Sequence, residues 1–138
     1  MKEILYLYNM KILISGSRKL TDNTTYTQLE KLLRTLQPTH ILHGGAKGVD
    51  MLADRYATEN QLPKTVIKPD YKTRGKYAPL IRNTELVALA DKVICVYAAD
   101  RIRKGGTGDT YKKATKAGKL AAELIPEKNQ LTKPLRLF

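Results

Sequence analysis

Three features of the sequence predict an α/β fold of the Rossmann-like, doubly wound kind, a mainly parallel sheet with helices on both faces. Short aliphatic or β-branched runs alternate with longer segments of helical period, the order a parallel sheet with crossover helices requires. The run VICVY (Val93–Tyr97) is apolar without a break, as in a strand buried on both faces. Glycines follow the apolar runs directly, where sheets of this kind open onto ligands.

The elements follow in order. Ile12–Ile14 reads as the first core strand, interrupted by SGSRK. Thr21 or Asp22 is placed to cap a helix whose Tyr26, Leu29, Leu33 and Leu36 share one face, and Pro38 ends it. His40–Leu42 is a short strand running into Gly44-Gly45. Val49, Leu52, Ala53, Tyr56 and Ala57 then recur at i, i+3, i+4, i+7 and i+8, a buried helical stripe. Thr65–Ile67 is the third strand, with a polar loop expected from Pro69 to Gly75. Tyr77, Leu80, Ile81, Thr84 and Val87 or Ala88 give a further helical face. After the Val93–Tyr97 strand, a loop through Gly106 is expected to lead into a helix ending near Gly118. Leu120–Ile125 is expected to close the sheet.

The 138 residues read as one domain, with a core of about residues 10–125 and extensions at 1–9 and 126–138. The short first stretch, MKEILYLYNM, is too polar for a secretion signal, and it reads as an ordered strand or as residues upstream of a start at Met10. With 42% apolar residues the chain is globular in composition. No apolar run is long enough to cross a bilayer. The lone Cys95 lies inside VICVY, has no internal partner and suits a buried strand position in a reducing compartment, so a cytoplasmic location is expected.

The formal charge is +12, from 25 basic and 13 acidic residues. About +4 of it precedes Asp70 and about +8 follows from there. Such an excess suits an anionic partner, a nucleotide or nucleic acid before a lipid surface, although a lysine-rich soluble surface produces the same total.

Several stretches suit anions. In HGGAKGVD (43–50), glycines between a strand and a helix let backbone N–H groups approach a phosphate at the positive end of the helix dipole, and Lys47 adds charge. The same glycines also serve a tight turn with no ligand. GSR (16–18) offers a hydroxyl and a guanidinium at a strand end, and Arg82 and Asn83 stand early on a helix. Neither glycine loop matches G-x-x-x-x-G-K-[ST] or G-x-G-x-x-G, which disfavours an ordinary NTPase or NAD-dependent dehydrogenase. His40 and His43 have no cysteine or carboxylate at metal-ligand spacing, so no metal is expected. His43 stands at a strand mouth, open to a pocket role or a structural one. No Ser-His-Asp or Cys-His pattern stands out.

In order along the chain, GSR at Gly16, HGGAKGVDMLA from His43, GKYAPLIRN from Gly75, AD at Ala90–Asp91 and GGTGDT with its following A..AG from Gly105 resemble the SLOG superfamily. The resemblance is to its small YspA-related branch, kin to the lysine-decarboxylase-like phosphoribohydrolases and to the DNA-processing protein of natural transformation. It spans roughly Lys11 to Lys119. It implies a Rossmann-like fold and a pocket for a nucleotide or an NAD- or ADP-ribose-derived ligand, with no further cofactor required. By position, Gly16, Ser17 and Arg18 would meet ligand at the first strand. Gly44, Gly45, Lys47, Gly48 and Asp50 would do so at the second, with Arg82 and Asn83 on the helix. Gly105, Gly106, Thr107, Gly108 and Thr110 would hold phosphate. Relatives self-associate, which implies a homo-oligomer.

The phosphoribohydrolase relatives carry P-G-G-x-G-T-x-x-E, whose glutamate helps cleave the N-glycosidic bond. Here Lys104 stands at the proline, Asp109 at the threonine, and Tyr111, Lys112 and Lys113 around the glutamate. Hydrolysis needs a carboxylate near the sugar, for which Asp109, Glu85 and Asp50 are the candidates. The expectation is therefore a binder, as a sensor, a carrier or a phage-type sponge of immune nucleotide signals. The alternatives are a nucleotide N-glycosidase and a single-stranded DNA binder using Tyr71, Tyr77 or Tyr111 to stack bases.

Overall fold

A computed structural model describes residues 9–126 and the backbone of Pro134–Leu137. The first eight residues, on which the N-terminal expectation falls, lie outside the described residues. Six strands form one sheet: β1 (Lys11–Gly16), β2 (His40–His43), β3 (Lys64–Val66), β4 (Lys92–Val96), β5 (Leu120–Leu124) and β6 (Pro134–Leu137). Their order is β3-β2-β1-β4-β5-β6. The first five are mutually parallel, and β6 pairs antiparallel with the outer side of β5. The fold is the α/β Rossmann-like one, and β5 does not close the sheet as expected.

Alternation along β1 builds two cores. Ile12 and Ile14 face helices α1 (Asn23–Leu36) and α2 (Val49–Glu59), meeting Leu29, Leu33, Leu52, Ala53 and Tyr56. Leu13 faces the other way, toward Leu86, Val87 and Ala114 of the helices that follow β3 and β4. In β4, Ile94 and Val96 join the first core while Val93 and Cys95 join the second. The sheet is thus the middle of three layers, which explains why VICVY carries no polar residue. Asp22 caps α1, its carboxylate accepting from the Thr25 N–H at 3.2 Å. The predicted stripe on α2 is buried throughout.

Three segments differ from expectation. The polar stretch after Pro69 is a helical turn, α3 (Tyr71–Arg74), capped by Asp70 and followed by a 3₁₀ turn at Gly75–Tyr77. Helix α4 (Ala78–Leu89) buries Ala78, Asn83, Leu86 and Val87. The face begun by Tyr77 and Leu80 turns to solvent, with Tyr77 57% exposed. The segment holds two apolar stripes, and hydropathy alone does not choose between them. The buried one contains Asn83, whose amide ties α4 to the next helix. Finally, α5 spans Gly105–Lys116, so the glycine-rich stretch is not a loop before a helix but its first turns.

Candidate functional site

The strand order reverses direction between β1 and β4, which pair in register from Ile12↔Lys92 to Gly16↔Val96. Connections leaving their carboxyl ends diverge to opposite faces and leave a crevice, the place where open α/β sheets bind ligands. A cleft of ≈ 220 Å³ occupies it. Its floor is Ser15–Ser17 and Val96–Ala98, and its walls include Asp50, Arg82 and Gly105–Thr107.

Close backbone packing shapes the β1 side. The Ser17 N–H donates to the Val96 carbonyl, and the Ser17 carbonyl accepts from the Val49 N–H, both at 3.1 Å. A Cβ on Gly16 would stand 2.6 Å from the Val49 side chain. Gly48, at φ +76°, has no room for one against the Ser17 carbonyl. These glycines let α2 begin directly beside the turn after β1.

Asp50 organises the loop after β2. Its Oδ2 accepts from the N–H groups of Gly44 (3.2 Å) and Ala46 (3.1 Å). Burial raises its pKa, and those N–H groups together with His43 and Arg82 partly offset the shift. His43 is structural: its Nδ1 accepts from the Gly45 N–H at 3.0 Å, so Nε2 carries the proton donated to Asp54 at 2.8 Å. Burial pushes the Asp54 carboxyl up, but hydrogen bonds from Lys64 and His43 outweigh it and hold the carboxyl below its ordinary value.

On the opposite wall, Arg82 is fixed by neutral acceptors. Its Nη1 donates to the carbonyls of Gly44 (2.8 Å) and Ile67 (3.3 Å), and its Nε to Asn83 Oδ1 (2.9 Å). Asn83 Nδ2 in turn donates to the Gly106 carbonyl (3.3 Å) and Asp109 Oδ2 (3.1 Å). Asn83 therefore positions α5, and it is not among the residues that line the cleft. Gly105, Gly106 and Thr107, the first turn of α5, line the cleft. Lys104, the N-cap, makes no side-chain hydrogen bond to them. Uncapped N–H groups at a helix's positive end are a ready anion site.

The segment before α5 is held from below. Glu123, fully buried on β5, receives Arg103 Nε at 2.8 Å, Arg103 Nη2 at 2.6 Å and the Tyr97 hydroxyl at 2.8 Å. Arg103 sits at φ +58° and lies over the Tyr111 ring, 4.4 Å from its centroid. The Gly108 position has no room for a Cβ against the Arg103 carbonyl. This clamp fixes Arg101 and Lys104 at the rim of the cleft.

Of the residues singled out in the sequence, Gly16, Ser17, Arg18, Asp50, Arg82, Gly105, Gly106 and Thr107 line the cleft. Gly44 and Gly45 line an adjoining hollow, together with Arg18 and Arg82. Lys47 is exposed and lines neither, and Gly48 is buried beneath Ser17. Gly108 packs on Arg103, and buried Thr110 donates to the Gly106 carbonyl at 3.3 Å. Among the candidate carboxylates, Glu85 is exposed on α4 and does not line the cleft. Asp109 is bound by Asn83 and by Lys113 (2.7 Å), and it too is outside the cleft lining. Only Asp50 lines it. Lys19, Arg101 and Lys104 belong to the lining without having been predicted; the basic run RIRK just before the glycines signalled the last two, and Lys19 directly follows GSR. Glu123 had a signal too, a carboxylate within the apolar strand LAAEL. Among the described residues no group of three or more His, Cys, Asp or Glu is arranged to hold a metal, and no helix is long and apolar enough to cross a membrane.

The fold and this cleft define a Rossmann-like domain with an anion-suited crevice at its switch point. The model of the YspA, cpYpsA-related SLOG family matches residues 10–73. A relative, the Gene 61 protein of Mycobacterium phage D29, is 32% identical over 115 residues, covering 78% of this chain and 90% of that protein. The chain belongs to the YspA, cpYpsA-related SLOG family. No solved structure matches it.

Proposed function

We propose that this chain binds a phosphate-bearing nucleotide or an NAD- or ADP-ribose-derived signal, as a binding module rather than a catalyst. The observation that carries the reading is the uncapped first turn of α5 opening onto a cleft lined by Arg18, Lys19, Arg82, Arg101 and Lys104. Asp50 is the single carboxylate among the lining residues, and two backbone N–H groups occupy one of its oxygens. Negative charge placed there meets fixed donors without reorganisation. The absence of Asp109 and Glu85 from the cleft lining supports holding a nucleotide over cleaving one. Capture of a signal, as a sensor, carrier or sponge, is the role this chemistry fits, and kinship with a phage protein accords with the last of these.

Thermal shift against nucleoside monophosphates, NAD, ADP-ribose, cyclic ADP-ribose isomers and cyclic dinucleotides tests it. A ligand at 100 times its Kd adds about 2.7 kcal/mol to stability. No shift with any of them overturns the proposal.

One observation favours a second reading, single-stranded nucleic acid. Tyr71 and Tyr77 are exposed beside Lys72, Arg74 and Lys76, an aromatic and basic strip that suits stacked bases and phosphates. It requires oligonucleotide affinity that falls steeply with salt, with a log–log slope of about −0.7 per phosphate contact, yet persists at physiological ionic strength.

A further inference from the structure

A second hollow, ≈ 280 Å³, adjoins the cleft and shares Arg18, Ala46 and Arg82 with it. Lys68, Pro69 and Tyr71 form its far side. We propose that it is the ring subsite for a two-part, diphosphate-bridged nucleotide: a planar heterocycle lies against Tyr71 and Pro69, the bridging phosphates cross Arg18 and Arg82, and the far end reaches the first turn of α5. This rests on the nucleotide-binding reading above and deepens it.

Size is the first argument. Ligand pockets run about 300–1,000 Å³. Each hollow alone falls below that range, while the two together give about 500 Å³. A mononucleotide fills one side, and a two-part ligand fills both.

Charge is the second. The lining of the second hollow carries Arg18, Lys68 and Arg82 and no carboxylate. Arg82 spends its Nη1 and Nε on two backbone carbonyls and the Asn83 amide oxygen, all neutral. Among the described residues no carboxylate forms an ion pair with Arg18, Lys68 or Arg82. Arg18 and Arg82 line both hollows, with Asp50 the one carboxylate near Arg82, so a diphosphate crossing the junction would meet both guanidiniums.

The third argument is the wall. Tyr71 borders the hollow and is 55% exposed, so its side chain is open to a stacking partner. Room for such a ring depends on the glycines opposite. Gly45, at φ +73°, would place a Cβ 2.9 Å from the Lys68 side chain, and a Cβ on Gly44 would strike the Arg82 guanidinium.

Titration calorimetry with ADP-ribose, AMP and ribose 5-phosphate separates the parts, using the wild type, Tyr71→Ala and Tyr71→Phe. ADP-ribose should bind the wild type at least about tenfold more tightly than AMP or ribose 5-phosphate. Loss of a stacked base costs about 1–3 kcal/mol, so Tyr71→Ala should weaken ADP-ribose by roughly 5- to 150-fold. Tyr71→Phe should retain its affinity, and ribose 5-phosphate should bind all three proteins alike. AMP matching ADP-ribose, or ADP-ribose indifferent to Tyr71→Ala, overturns the ring subsite and leaves the cleft reading standing. Equal losses of ADP-ribose and ribose 5-phosphate in Tyr71→Ala also overturn it, because the residue then supports the whole site. No binding of any of the three to the wild type overturns the ring subsite, and the wider thermal-shift panel then decides the cleft reading.

Discussion

Replacing Glu123 by alanine should destabilise the protein by about 2–4 kcal/mol, and the structure apportions that cost. The carboxylate is fully buried and accepts three hydrogen bonds, two from Arg103 and one from the Tyr97 hydroxyl. Tyr97 is itself 1% exposed, so its buried hydroxyl loses its carboxylate acceptor and keeps only the weaker Cys95 sulfur. An unsatisfied buried hydroxyl costs about 1–3 kcal/mol. The Arg103 side chain is 40% exposed and rehydrates once released, so the ion pair itself contributes only about 1 kcal/mol. For a chain of this length about 3 °C of Tm accompanies each kcal/mol, which gives a fall of roughly 6–12 °C by circular dichroism or scanning fluorimetry. Glu123→Gln keeps an acceptor for Tyr97 and should lose less than half as much. Because Arg103 also fixes Arg101 and Lys104, ligand affinity should fall in Glu123→Ala even at temperatures where the protein is fully folded. A Tm within about 2 °C of wild type, or a glutamine variant as damaged as the alanine one, would refute the clamp.

Arg101→Ala should leave Tm unchanged, since among the described residues Arg101 forms no ion pair, yet lower nucleotide affinity about tenfold or more by calorimetry. Gly48→Ala should cost more than about 2 kcal/mol in chemical denaturation, because φ is +76° and the Cβ would overlap the Ser17 carbonyl. Burial, and then the nearby Lys11, lowers the pKa of His40, whose Nε2 lies 2.8 Å from Thr65 Oγ1. The unfolded chain therefore takes up this proton first. Stability should be complete above the ordinary histidine pKa and decline as pH falls from about 7 toward 5, less steeply in His40→Gln. Burial pushes the Cys95 thiol up to about 12, so a thiol reagent should leave it unmodified in the native protein and react after denaturation.

What was legible in the sequence is what periodicity and chain chemistry encode locally. The stripe from Val49 to Ala57, the Asp22 cap and the apolar β4 each depend on a few neighbouring residues, and each stands in the structure as read. Convergence of the loops after β1, β2 and β4 was expected from strand ends, and the resemblance then named Gly16–Arg18, Asp50, Arg82 and Gly105–Thr107, which line one cleft. Tertiary contacts decided the rest. A helix opening on GGTG contradicts helix propensity, yet Asn83, 23 residues earlier, takes hold of the Gly106 carbonyl and steadies that turn. Asn83 itself looked like a ligand contact because its bonding to α5 depends on how α4 and α5 pack. Asp109 offered itself as a catalytic carboxylate although Lys113 stands at i+4 on its own helix; its other partner, Asn83, lies on α4, whose meeting with α5 no local pattern records.

The pairing of β1 with β4 has a kinetic meaning. These strands touch along their length, but the bond from the Lys11 N–H to Asp91 already spans 80 residues of chain. The cleft lies astride that junction, with Arg18 and Asp50 arriving early in synthesis and Arg82, Arg101 and the α5 turn arriving late. A half-made chain owns neither a closed crevice nor the donors on its far wall, so the proposed ligand capture has to wait until the slow, long-range closure is complete. Bound ligand then opposes global unfolding rather than any local opening. Amide protons throughout β1 and β4 should slow together in hydrogen exchange, by one common factor set by ligand concentration over Kd.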